Sequence, residues 1–159
     1  DPLAIWRKAA ELSLPVSCFP RTAEHIADDG FQSLVEELPN CTIILEHLAG
    51  AYRPLSPPSV TAPYDDYKKA LTLARFPNTY IKFGGLGEFS VRRVPPLMEM
   101  AYEAFGAKRM MWGSDYPPVG GREGYRNSLQ NVLEYPVFKT QDEKDWAFGK
   151  AAVEAFKLG

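Results

Sequence analysis

Histidine is the scarce residue of this chain. Only two occur in 159 residues, His25 and His47. Neither His-x-His nor His-Glu-x-x-His occurs. A conventional zinc site needs three or four ligands at fixed geometry, so this chain does not build one from its own histidines. Cysteine is equally scarce. Cys18 and Cys41 both sit in apolar, strand-like runs, and read as two buried thiols rather than a disulfide or a metal pair. Asn40-Cys41-Thr42 matches a glycosylation sequon, but it leads into a run that reads as buried. Charge of one sign is missing too. Eighteen Lys and Arg against twenty Asp and Glu leave a net charge of -2. That excludes the basic footprint of a nucleic-acid binder or a protein held on an anionic membrane. No apolar run approaches the roughly 18 residues of a membrane span. A small-molecule substrate is therefore the expected partner, with no nucleic acid and no membrane; a homo-oligomer is left open. A reducing cytoplasm is the default location. The first residue is Asp1, not Met, so a lost targeting segment stays open.

What is present is ordinary globular composition. At 45% hydrophobic and 24% charged, the chain supports one sizeable core, read as a single α/β domain over residues 1–159. Helical and strand-like patterns alternate throughout. Leu3, Trp6, Ala9 and Ala10 predict a short helix stopped before Pro15. Residues 16–19 predict a strand, and Phe31, Leu34, Val35 and Leu38 a helix. Residues 42–47 are the next strand, followed by a loop carrying Pro54, Pro57, Pro58 and Pro63. Tyr67, Ala70, Leu71 and Ala74 predict a helix, residues 79–83 a strand. Val94, Leu97, Met98, Ala101 and Phe105 predict a helix, residues 109–114 the fourth strand. Two helices close the chain, one on Tyr125, Leu129, Val132 and Leu133, the other on Trp146, Gly149, Ala152, Val153 and Phe156. Such alternation argues for a parallel sheet covered by helices. Two architectures compete: an open doubly wound sheet, and the carboxyl-terminal half of a (β/α)8 TIM barrel. The opening helix has no strand before it, which favours the half barrel and an amino-terminal part elsewhere.

Two strand ends carry the chemistry. In Met110-Met111-Trp112-Gly113-Ser114-Asp115-Tyr116-Pro117, alternation puts Met111, Gly113 and Asp115 on one face. A carboxylate is thus delivered to the carboxyl end of a strand, where α/β folds put their chemistry. It suits a metal ligand or a general base on water, and equally a helix cap. Gly113 beneath it leaves room for a ligand or a large neighbour. In Ile43-Ile44-Leu45-Glu46-His47, the residues Ile43, Leu45 and His47 are in phase. His47 is the expected partner of Asp115; Glu46 is expected to face the covering helices as a structural ion pair. His25, in the first turn of a helix, reads as a solvated or capping residue. Gly84-Gly85-Leu86-Gly87 lacks the last glycine of a dinucleotide loop, Ser90 standing there, and reads as a set of turns. Lys82, inside an apolar strand, either reaches the mouth to hold a substrate carboxylate or snorkels between helices. Tyr52, Arg53 and Arg122, in loops after the second and fourth strands, are further substrate-binding candidates.

Three segments carry a family likeness. Ile44-Leu45-Glu46-His47-Leu48-Ala49-Gly50 resembles the sixth-strand motif of the amidohydrolase-2 family of metal-dependent hydrolases. Lys108-Arg109-Met110-Met111-Trp112-Gly113-Ser114-Asp115-Tyr116-Pro117 resembles its eighth-strand signature, and Phe148-Gly149-Lys150-Ala151-Ala152-Val153-Glu154-Ala155-Phe156 its closing helix. The resemblance implies a TIM barrel of which this chain supplies strands five to eight. The family's first-strand His-x-His pair would lie outside the chain. Asp115 takes the place of the aspartate that activates water. His47 takes the place of the sixth-strand histidine, which binds substrate or sits by the metal. A divalent metal such as zinc is the cofactor implied for the complete enzyme, with Asp115 and His47 among its ligands if one is bound. Phe19 stands where metal-binding members carry a strand-five histidine, and a phenyl ring ligates nothing. With Lys82-Phe83-Gly84-Gly85-Leu86, that departure is similar to the lactonase branch, some of whose members work without tightly bound metal. The expected function is lactonase-like hydrolysis of a small cyclic ester by water that Asp115 activates. The alternatives are a metal-dependent non-oxidative decarboxylase of the same superfamily, and a non-catalytic half barrel. The isolated chain is expected to be inactive.

Overall fold

Short apolar runs between helical stretches form four strands: β1 (Val16–Cys18), β2 (Ile43–Leu45), β3 (Thr79–Gly84) and β4 (Met110–Gly113). The computed structural model describes residues 1, 3–51, 62–84 and 96–159. The strands form one sheet in the order β1-β2-β3-β4. Every pairing is parallel, with Val16 beside Ile43, Ile43 beside Thr79, and Ile81 beside Met110. Spatial order follows chain order, as the β-α alternation requires when each crossover steps to the next strand. A doubly wound sheet would place the first strand in the middle; this sheet does not. Three of the strands are shorter than their apolar runs, and β3 runs one residue past Phe83. β1 stops one residue before Phe19, β2 two before His47, and β4 two before Asp115.

The helices are α1 (Ala4–Glu11), α2 (Ala23–Ala27), α3 (Asp29–Glu37), α4 (Asp65–Leu71), α5 (Leu97–Phe105), α6 (Tyr125–Leu133) and α7 (Gln141–Asp145). A π-helical turn, Trp146–Lys150, joins α7 to α8 (Ala151–Phe156). Asp28 caps α3 by accepting from the Gly30 and Phe31 amides, at 2.9 and 3.3 Å. Thr140 and Glu143 form a reciprocal capping box on α7. No helix among the described residues is long and apolar enough to cross a membrane.

The two sheet faces have different partners. Ile43, Leu45, Ile81, Phe83 and Met110 join the main core, with Val35, Tyr67 and Ala101 of the helices. Ile44, Tyr80 and Met111 point the other way and meet Ala151 and Ala155 of α8. The expectation that Ile43 and Leu45 share the functional face with His47 is therefore overturned. Their face is the helix layer, and the opposite face carries Ile44, Tyr80 and, two residues on, Lys82.

Polar groups tie the amino end of the sheet together. Asn78 donates from Nδ2 to the Leu38 and Cys41 carbonyls, at 3.1 and 2.7 Å. Buried Thr79 donates from Oγ1 to the Leu73 or Phe76 carbonyl, each 2.8 Å away. Arg109 donates to the Phe76 and Ala74 carbonyls, at 2.9 and 2.8 Å. These bonds satisfy loop carbonyls that the strands leave over.

Asn78→Ala deletes two of these bonds and is expected to cost about 1–3 kcal/mol. Urea unfolding checks this; an unshifted midpoint would show the anchor to be idle. A second prediction concerns acid. The Tyr102 hydroxyl and the Thr140 and Lys139 amides all donate to Glu143, holding its carboxyl at about 2 against an ordinary 4.5. The unfolded chain then binds the proton first as pH falls. The stabilisation is complete above about pH 4.5 and is lost as pH falls toward about 2. Glu143→Gln should flatten that part of the acid-unfolding curve while leaving the amide contacts of α7 formed.

Candidate active site

β2 ends at Leu45, and the chain turns in an uncommon way. His47, Leu48 and Ala49 have φ of +50°, +52° and +55°. This left-handed region costs a non-glycine residue about 1–2 kcal/mol. Packing holds the turn. Leu48 and Ala49 are fully buried, and the Gly50 amide donates to the Glu46 and His47 carbonyls at 3.1 Å. Gly50 follows at φ +76°, where a Cβ would come within 2.8 Å of Pro20 Cγ and the Thr22 backbone. Only glycine suits both the angle and the approach. The turn lifts His47 out of the helix-facing phase of Ile43 and Leu45. It brings the residue to the lining of a cavity of about 320 Å³ at the carboxyl end of the sheet. His47 reaches the site by this turn and not by strand alternation.

β4 delivers the carboxylate. After Gly113 the chain leaves the sheet, and Asp115 sits at φ +56° with its carbonyl accepting from the Val119 amide at 3.1 Å. Asp115 lines the same cavity as His47, with Glu46, Lys82, Ser114 and Tyr116. Gly84 and Gly113 lie side by side there; a Cβ on Gly84 would stand 1.7 Å from the Gly113 carbonyl oxygen. A Cβ on Gly113 would stand 2.9 Å from Lys82 Cδ. The large neighbour for which Gly113 makes room is thus the stem of Lys82.

Every described charge in the site has a partner. Lys82 Nζ lies 2.5 Å from Glu46 Oε1, the two side chains 25% and 15% exposed. The Ser17 hydroxyl donates to the same carboxylate oxygen. Glu46, expected among the covering helices, therefore belongs to the cavity: Ile44 sets its phase, and its ion pair crosses from β2 to β3. Arg122, only 9% exposed, donates from Nη2 to Asp115 Oδ2 at 3.2 Å, and its Nε lies 3.6 Å from Glu123 Oε2. Lys82 lines the cavity and Arg122 pairs with Asp115, so each already holds a carboxylate of this chain. Tyr52 and Arg53 lie outside the described residues, as do Gly85, Leu86 and Gly87. His25 is exposed on α2, away from the cavity lining. Ser17 and Glu46 were missed as site residues. The signal for both was a polar side chain in phase with Lys82 once the strands are aligned.

The donor set bears on a metal. Phe19 packs edge-on against the His47 ring, centroids 4.9 Å apart, and brings no ligand atom. Burial, with Cys41 and Glu46 nearby, pushes the Cys18 thiol up to about 12, so the free thiol stays protonated at neutral pH. Cys18 is half-buried and Cys41 fully so; both are free. Asp115 Oδ2 is taken by Arg122. Among the described residues, no three His, Cys, Asp or Glu side chains gather as a metal site would require. The residues described here do not by themselves fit a divalent ion. A larger cavity, of about 890 Å³, flanks the π-helical turn and shares no residue with the His47–Asp115 site.

The amidohydrolase family model matches residues 1–158. No curated protein sequence matches the chain. Solved structures do. An amidohydrolase from Burkholderia multivorans with bound zinc superposes with a TM-score of 0.75 and 18% identity, over 96% of this chain and 57% of its own. A protein of Pseudomonas putida assigned as a 2-pyrone-4,6-dicarboxylic acid hydrolase gives 0.64 and 17%, over 98% and 57%. The 2,6-dihydroxybenzoate decarboxylase from Rhizobium gives 0.63 and 16%, over 96% and 54%. At these identities the likeness is one of fold, and the chain spans a little over half the length of these relatives. Four parallel strands in sequential order, helices packed against the sheet and a family match along nearly the whole length lead to one conclusion: the chain belongs to the amidohydrolase-2 family.

Proposed function

We propose that this chain is the carboxyl-terminal half of a TIM-barrel hydrolase, supplying strands five to eight, and that the complete enzyme opens a small cyclic ester. One observation carries the reading. His47 and Asp115, from two strands of one parallel sheet, line a single cavity at its carboxyl end. Barrel enzymes place their chemistry at that end. Phe19, standing where metal-binding relatives carry histidine, favours the lactonase branch.

In this reading Asp115 takes a proton from water as the water attacks the ring carbonyl. Arg122 on Oδ2 fixes the carboxylate's orientation, so the other oxygen can accept that proton. His47, held in its strained turn, is the residue that orients or polarises the carbonyl. Tyr52 and Arg53 are candidates for holding a substrate carboxylate. The decarboxylase reading rests on the Rhizobium relative, whose TM-score of 0.63 is close to the 0.64 of the hydrolase from Pseudomonas putida. It asks for a metal that the described residues do not assemble.

The test uses the complete protein that carries these residues. Acid release from lactones is followed by pH-stat, and carbon dioxide release from hydroxybenzoates by infrared gas analysis. Lactone opening is expected, and carbon dioxide release without acid release would establish the decarboxylase instead. Asp115→Asn should lower kcat by about 10²-fold or more, with far-UV circular dichroism unchanged. Turnover close to the parent's would remove Asp115 from the role of base.

A further inference from the structure

The Lys82–Glu46 pair is left without a task by the reaction above. It is drawn back from water yet lines the cavity beside Asp115. Such pairs add little net stability, because desolvation offsets the attraction. This one is also elaborately placed. The Lys82 stem crosses the space that Gly113 leaves by having no Cβ, two residues before Asp115 in the chain. Glu46 holds the ammonium at 2.5 Å, and Ser17 donates to the same oxygen from the next strand. The Phe156 ring lies 5.9 Å from Nζ on another side. Three strands and the last helix thus aim one ammonium at one place.

Resting on the hydrolase reading, we propose that Lys82 is the catalytic acid that protonates the leaving oxygen of the ring, and that Glu46 is its positioning residue. Glu46 argues against the alternative of anion capture. Its carboxylate neutralises the ammonium and repels a second carboxylate, whereas a neutral ring-ester oxygen meets no such repulsion. An ammonium has three N–H groups, so Glu46 occupies one without exhausting them. The step balances. Water gives a proton to Asp115, and its oxygen bonds to the carbonyl carbon. The tetrahedral centre collapses, the ring carbon–oxygen bond breaks, and the leaving oxygen takes a proton from Lys82 Nζ. Asp115 then releases its proton to solvent and the Lys82 amine regains one. The net change is lactone plus water to hydroxy acid.

A general acid matters most when the leaving group is poor. The complete protein is therefore assayed on δ-valerolactone, which expels an alkoxide, and on dihydrocoumarin, which expels a much less basic phenoxide. Asp115→Asn should suppress both alike. Lys82→Gln should lower kcat on δ-valerolactone about 10²-fold or more and on dihydrocoumarin by less than about tenfold. Because Lys82→Gln leaves Glu46 without its cation, the double variant Glu46→Gln/Lys82→Gln is measured beside it and should show the same selectivity. Glu46→Gln alone should show it more weakly. Equal losses on both lactones, or a rise in KM with kcat unchanged, would overturn the proposal and leave the hydrolase reading standing. If the parent opens neither lactone, or Asp115→Asn stays fully active, the hydrolase reading fails and the proposal with it.

Discussion

The pairing of β2 with β3, Ile44 beside Tyr80, governs the rest of the molecule. Side chains alternate along a strand, so this register decides which residues face the helices and which face the cavity. It sends Ile43, Leu45, Ile81 and Phe83 into the main core. It sends Glu46 and Lys82 to the opposite face, close enough to pair. A slip of one residue would bury that ion pair under the helix layer and expose the core. The Asn78, Thr79 and Arg109 bonds at the amino end of the sheet hold the loops that set this register.

The carboxyl end is organised by a different means. His47 and Asp115 both lie beyond their strands, and both sit in the left-handed region. The strain is local and is offset by burial of Leu48 and Ala49 and by the tight contact of Gly50 with the loop after β1. Backbone strain supported by packing is common where a site needs a fixed geometry. A hydrogen-bonded amino end thus carries a strained carboxyl end.

Charge compensation is the third element. Each described cation of the site has an anion of the chain against it, Lys82 with Glu46 and Arg122 with Asp115. Such pairing fixes side-chain directions more than it adds stability. It also narrows what the site can bind, since neither cation is available to a second carboxylate without exchange. A proton donor and an oriented base, the roles proposed for Lys82 and Asp115, need no such exchange.

Much of this was legible in the sequence. Alternating helical and strand patterns specify a parallel β-α fold, because helix and strand periods differ and crossovers have one hand. The Gly113-Ser114-Asp115 ending placed a carboxylate at a strand's carboxyl edge, and the family motifs ran along the same residues. Ile43-Ile44-Leu45, by contrast, is apolar at every position, so nothing in its pattern distinguishes one face from the other. Phase there is decided by Ser17 and Tyr80, which lie far off in the chain. For that reason Glu46 lines the cavity instead of facing the helices, and His47 reaches it by a turn instead of by strand alternation. The left-handed turn at His47 depends on a contact between Gly50 and Pro20, which local propensity does not reveal. By itself, then, the sequence determined the order and type of the elements and the residue types at the strand ends. Tertiary structure decided which side chains meet, because register and turn strain are settled by packing between segments distant in the chain.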